Sequence, residues 1–466
     1  MTTSPLQDPA GELAHMVIET RYEDVPLDII ELAKQAIFDT LAVTIAGSNW
    51  EVSPAVVRQI ADWGGKPESP VLVHGHRVPA PQAAFANGVM ARGIDMGDVH
   101  ELAGHVTEWN VPAMLAVLCL AGRPVSGREF LVAYLTGAEL SVRACAAVSL
   151  PNNITKGIPG EFNGSLCAAA SVARLLGLNV EETWNALGIC YSVHSLSESQ
   201  KYAEGSQMVR VQHGFAAETA VKAVLLTRLG INGPKGIFMA SPGGMLRHLH
   251  LEGLAPDYLT RDLGTHWYFA DGLSMKPYSG CKFTHSFIAG TIELMQRNDI
   301  DVRQITAIDC VGSEGARLCT VPQETKWNPR STSECLFSAP YAIATAAIQG
   351  DVFLPDFSES ERSREDKRAL MARISISHDP RIVEEFEGYS VAIRLADGRR
   401  FEQVTPYVKG HTRNRMTWVD LEAKFRKCLP YAAVPFSAAR ADRVLDLCRH
   451  LEDVPDVLAL LEALTP

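Results

Sequence analysis

The chain predicts a mostly α-helical fold, and three patterns carry that prediction. Apolar residues recur at helical spacing in the first half, as in Ile29, Leu32, Ala33, Ala36, Ile37 and Leu41. Three helical runs stop on a glycine, at Gly47, Gly177 and Gly230, the residue that best tolerates the left-handed turn ending a helix. Strand-like alternation is confined to a stretch late in the chain.

Taken in order, the helical segments of the first half include Val111–Ala121, Ser165–Leu176 and Phe215–Leu229, all rich in alanine or leucine. Small residues let helices approach closely, so these segments form a bundle without a sheet. Ile305–Val311, Ile374–Ser377, Val391–Leu395 and Phe401–Val404 then read as strands. The last two flank Ala396-Asp397-Gly398-Arg399, a hairpin turn signal. Ser331–Gly350 reads as one helix, and the charged Ser358–Arg368 as a solvated loop and helix start. From Met416 the chain is helical again, with Leu421, Phe425 and Cys428 on one face. A length of 466 residues exceeds what one core usually supports. The expected organisation is an all-helical domain from residues 1–267 and 409–466, with an inserted α+β lid domain over 268–408.

Composition narrows the function. Hydrophobic residues are 47% and charged residues 21%, ordinary for a globular protein. A net charge of −11 without a basic block argues against nucleic acid as a partner. It leaves an acidic small molecule open, because a few local cations reverse the field inside a pocket. Met1–Gly11 lacks the basic-then-apolar layout of a signal peptide, and the best apolar run, Val111–Ala121, falls short of the ~18 residues that span a bilayer. The 10 cysteines are scattered without a Cys-x-x-Cys, as expected of reduced thiols in a cytoplasmic protein. His74 with His76, and His248 with His250, lack a third ligand at fixed spacing, so no metal site is expected. Gly233-Pro234-Lys235-Gly236 lacks the spacing of a phosphate loop.

Two polar knots stand out. One is Lys276-Pro277-Tyr278-Ser279-Gly280-Cys281-Lys282-Phe283-Thr284-His285, where Pro277 and Gly280 fix a turn. The other runs from Asp95 through Asp98, His100 and Glu101 to His105. Proton-transfer and carboxylate-binding groups so concentrated in an apolar chain point to one site built from both.

These segments, together with the Gly164–Leu178 helix, the Ile231-Asn232-Gly233-Pro234 turn and the Asp397-Gly398 hairpin, occur in an order that resembles the MmgE/PrpD family over nearly the full chain. The most specific motif is Lys-Pro-Tyr-x-x-Cys-x-x-Thr-His, matched at Lys276, Pro277, Tyr278, Cys281, Thr284 and His285. The resemblance implies catalysis in a cleft between a helical domain and a lid, a homodimer, and no metal or organic cofactor. It implies small di- or tricarboxylates as substrates. The chemistry it implies is dehydratase or decarboxylase type, with epimerisation as the close alternative and a non-catalytic binding protein as the rival.

Mapped onto this sequence, the resemblance makes Asp95, His105, Lys276 and Tyr278 catalytic candidates. His105 is the candidate base or acid, since a histidine titrates near neutrality. Asp95 either orients His105 or acts as the base, and Lys276 holds a substrate carboxylate. Tyr278 donates to a leaving hydroxyl or is a buried tyrosine bonded to backbone. Cys281 is a substrate contact or a packed thiol, and His285 caps the helix that starts near Ser286. Three departures from the family pattern imply a rebuilt pocket. Val99 replaces a hydroxyl residue, Ile158 an active-site histidine, and Val209 the lysine of a Lys-Arg pair whose arginine remains as Arg210. Arg210 and Lys201 are therefore candidates for the missing charge, and His213 or His194 for the missing imidazole.

Overall fold

A computed structural model describes residues 8–148, 164–193, 200–239, 244, 255–383 and 386–466. It is mostly α-helical, with three small sheets among the described residues. The predicted helices form over Leu27–Gly47, Gly164–Leu175 and Met208–Arg228, and Gly177 and Gly230 both carry the positive φ expected of a helix stop. Ile158, His194, His248 and His250 lie outside the described residues.

The strands are short and few. β1 (Ser69–Pro70) pairs with β2 (Arg77–Val78), and β3 (Asp98–His100) pairs antiparallel with β4 (Leu273–Met275). The principal sheet holds β5 (Ile305–Gly312), β6 (Ile374–His378), β7 (Tyr389–Leu395) and β8 (Arg400–Thr405) in the order β6-β5-β7-β8. The β5–β6 pair is parallel and the others antiparallel, with β7 and β8 joined by the predicted hairpin.

The structure corrects three local expectations. Ser331–Gly350 is not one helix but two, Thr332–Leu336 and Ala339–Gln349. Ser338 accepts a bond from the Tyr341 amide and Pro340 has no amide hydrogen, so a new helix starts there. His285 does not cap its helix; it is the first helical residue, and its Nε2 lies 3.3 Å from the Gly280 carbonyl oxygen. Gly127–Ala147, not Val111–Ala121, is the longest apolar helix, and it meets the length and composition of a bilayer span. Its apolar stretch is buried in protein and carries the Glu139–Arg143 pair at 2.7 Å, so it is a core helix.

The apolar core falls into two large clusters. The first joins side chains from Ala10 to Met275 with those from Met416 to Leu464. The second gathers Cys281–Leu395 around the principal sheet and takes in Val99, Tyr202 and Val209. A smaller cluster of Val43, Ala46, Ile94, Met96, Phe353, Leu354 and Cys428 draws on segments that flank both.

Ala80–Arg92 and Met208–Arg228 form the most extensive helix packing among the described residues, and it positions the site. Gly88 and Gly214 face each other there: a Cβ on Gly214 would stand 2.6 Å from the Phe85 carbonyl oxygen, and one on Gly88 would stand 2.9 Å from the Gly214 Cα. Arg92 ends one helix, while Arg210 and His213 lie one turn apart on the other. We expect Gly214→Ala to push the helices apart, costing about 1–3 kcal/mol in urea unfolding, and to lower activity.

Candidate active site

The two polar knots meet. β3 and β4 pair Asp98 with Met275, Val99 with Ser274 and His100 with Leu273, which brings the residues before β3 against those after β4. The Gly280 amide donates to the Asp95 carbonyl at 2.9 Å, and the Met275 amide donates to the Gly410 carbonyl at 3.0 Å. From the far side, Lys424 Nζ reaches the Met96 carbonyl and the Asp39 carboxylate, each at 2.6 Å.

Asp95 sits at the centre, fully buried and in the left-handed region at φ 50°, a conformation Asp tolerates better than most residues. Its carboxylate contacts three cations: Lys276 at 2.7 Å, Arg210 at 3.6 Å, and Arg92 in a short contact. Burial alone would raise its pKa, but Arg92, Lys276 and Arg210 hold it well below the usual carboxylate range. Arg210 also faces Glu51 at 3.4 Å.

A second carboxylate, Glu108, lies behind His105. His105 Nδ1 is 3.2 Å from Glu108 Oε2, His213 Nδ1 is 3.0 Å from it, and Arg92 Nε is 3.7 Å away. Gly97 permits this arrangement, because a Cβ there would stand 2.1 Å from Glu108 Oε1. Burial pushes Glu108 up to about 7, against the pull of Arg92 and Lys276. Burial, Arg92 and Lys276 drive His105 well below its ordinary value, so its imidazole is neutral at physiological pH. Asp98, pushed up to about 7 by burial, accepts from the Val106 and Thr107 amides and so shapes the turn that presents His105.

A cavity of about 70 Å³ opens between the knots. Its lining combines the polar groups of Arg92, Asp95, His105, Lys276 and Lys282 with the apolar side chains of Val99, Phe283, Leu318, Phe337 and Phe386, and with Tyr202 and Cys281. Among the candidates drawn from the sequence, Asp95, His105, Lys276 and Cys281 line this cavity, and Arg210 and His213 stand directly behind it. Lys201 is buried, its ammonium 5.0 Å from the Tyr202 ring, and is not part of the lining. Tyr278 is also absent from the lining; its ring packs edge-on against His285 at 5.6 Å, and burial pushes its hydroxyl up to about 12. Val209 is buried in the second apolar cluster. Among the described residues, no group of three His, Cys, Asp or Glu side chains is arranged to hold a metal ion.

Sequence reasoning missed Arg92, Glu108 and Lys282. The first two carried a readable signal, since each lies three residues from a recognised candidate (Arg92 before Asp95, Glu108 after His105), the spacing of neighbours on one helical turn. The third stands inside the motif already quoted, where Cys281 drew attention away from it.

Two family models match the chain: the MmgE/PrpD N-terminal domain over residues 11–254 and the MmgE/PrpD C-terminal domain over residues 278–451. The chain belongs to the MmgE/PrpD family. Among curated relatives it is similar to the cis-aconitate decarboxylase-like protein oryM of Aspergillus oryzae, with 27% identity covering 98% of both chains. It is 25% identical to the cis-aconitate decarboxylase of Aspergillus terreus, over 97% of this chain and 95% of that one. The human cis-aconitate decarboxylase is 24% identical, over 93% of this chain and 89% of its own. All three carry names of carbon–carbon lyases or lyase-like proteins.

Asp95 is the anion that three buried or nearly buried cations share. Asp95→Asn is expected to destabilise the fold by about 3–5 kcal/mol in urea, because it leaves those charges uncompensated.

Proposed function

We propose that this MmgE/PrpD enzyme is a lyase that breaks a bond next to a carboxylate of a small carboxylic acid, working through side chains alone, without a metal or organic cofactor. The observation that carries the proposal is the cavity in which His105, backed by Glu108, faces the Lys276 and Arg92 cations held by Asp95. The decarboxylase names of the relatives favour loss of carbon dioxide over loss of water.

In this reading a substrate carboxylate approaches Lys276 and Arg92, whose charge offsets the enolate-like dianion that develops as the bond breaks. Asp95 is too strongly stabilised as an anion to serve as a base, and it positions the two cations instead. His105, neutral at rest, delivers a proton to the carbanionic carbon from its ring nitrogen. Glu108, carrying a proton near neutrality, refills the imidazole through the 3.2 Å contact. The second apolar cluster, gathered from Cys281–Leu395, supports treating most of residues 268–408 as a lid over a base of 1–267 and 409–466, although Tyr268, Phe269, Leu273 and Met275 pack with the base. A homodimer in the cytoplasm completes the proposal, and light scattering showing only a 50.7 kDa species would count against the dimer.

Incubation with cis-aconitate and related acids in deuterated buffer tests the reaction. A lyase releases carbon dioxide, or gives an alkene or its hydrate, with deuterium at one carbon. A labelled stereoisomer of the starting acid would instead establish epimerisation. His105→Ala should abolish turnover while leaving the circular dichroism spectrum unchanged.

The pH dependence has a defined sign. Glu108 supplies the proton only in its acid form, so activity should fall as pH rises through about 7. Glu108→Gln, which cannot give up a proton, should lose most activity and flatten that limb of the kcat profile. A profile with the same limb in the variant would remove Glu108 from the relay.

A further inference from the structure

The lyase reading leaves the acid unnamed, and the charge balance of the cavity narrows it. Each cation that lines the cavity, and Arg210 behind it, already has a protein carboxylate. Lys276 and Arg92 share Asp95, and Arg210 divides its contacts between Asp95 and Glu51. Lys282 is paired with the buried Glu387 at 2.7 Å, and Arg92 also faces Glu108. Among the described residues these four cations therefore meet four carboxylates. Protonation of Glu108 near pH 7 leaves one positive charge over. A dicarboxylate would then leave the site one negative charge in excess and a tricarboxylate two, and each uncompensated charge in a dry site is strongly unfavourable.

The rest of the lining has the complementary character. Phe283 and Phe386 lie 4.6 Å apart between ring centroids, and Tyr202 and Phe337 5.2 Å apart. With Val99 and Leu318 they present hydrocarbon to the cavity, and five of these six are buried members of the second apolar cluster. Such a surface gains from covering an alkyl or aryl group and loses by stripping water from a carboxylate.

From this balance we propose that the site selects an acid with at most two carboxylates and a hydrocarbon group that packs against Phe283, Phe337 and Phe386. That group occupies the place of the third carboxylate of a tricarboxylate such as cis-aconitate. This proposal rests on the lyase reading for the reacting end of the molecule and adds the character of the other end.

Isothermal titration of the full-length protein with 2-propylmaleate and with cis-aconitate tests it, with consumption of each acid followed by proton NMR. The expected result is roughly tenfold tighter binding of 2-propylmaleate. Phe337→Ala should weaken 2-propylmaleate several-fold and so narrow or remove its advantage over cis-aconitate. Glu387→Gln should release Lys282 and tighten cis-aconitate several-fold. Equal or tighter binding of cis-aconitate by the wild type, or no binding of either acid, overturns the proposal. Selective binding of 2-propylmaleate without consumption of either acid sustains it and removes the lyase reading. Decarboxylation of a tightly bound cis-aconitate does the reverse.

Discussion

The site depends on one buried anion. Asp95 collects Arg92, Arg210 and Lys276 around a carboxylate with no exposure to solvent, and those three cations come from three separate segments of the chain. Without it, like charges would converge in a low-dielectric interior and drive the segments apart. With it, the end of one helix, the start of another and the turn after β4 are fixed to one point. The same anion that organises the cations also tempers them, because their charge is only partly available to a ligand.

Glu108 plays the opposite part. Asp95 is held ionised by its neighbours, whereas burial raises Glu108 to about 7 despite Arg92 close by. Two carboxylates in one site are pushed apart in acidity by their surroundings, the division that the proposed roles of holding charge and carrying a proton require. Neutral His105 stands between the proton carrier and the cavity. The arrangement suits chemistry in which negative charge builds on carbon and is then quenched.

Much of this was legible in the chain. The four strands of the principal sheet and the principal helices fall where alternation, helical spacing and turn residues place them, because those signals are local and the sheet and bundle reinforce them. The family motif marked Lys276 and Cys281, and the spacing within the first knot marked Asp95 and His105. The failures share a cause. Tyr278 was a candidate through the family motif and Lys201 as a source of the charge lost at Val209, yet Tyr278 packs against His285 and the Lys201 ammonium lies over the Tyr202 ring, contacts that only the packed structure shows. The break at Ser338 depends on a cap and a proline inside a strongly helical composition, where propensity favours continuity. Glu108 and Arg92 were passed over because acidic and basic side chains are usually solvated, and only burial shows otherwise.

The sequence by itself determined the helical character, the late strands, the family and the two patches where chemistry is concentrated, since periodicity and motif are properties of neighbours along the chain. Only the tertiary structure decided that the patches share a cavity, that Asp95 neutralises three cations and that Glu108 holds a proton near neutrality. These follow from which charges are brought together away from water, and Coulomb energy and desolvation depend on distance in space, not on separation in sequence.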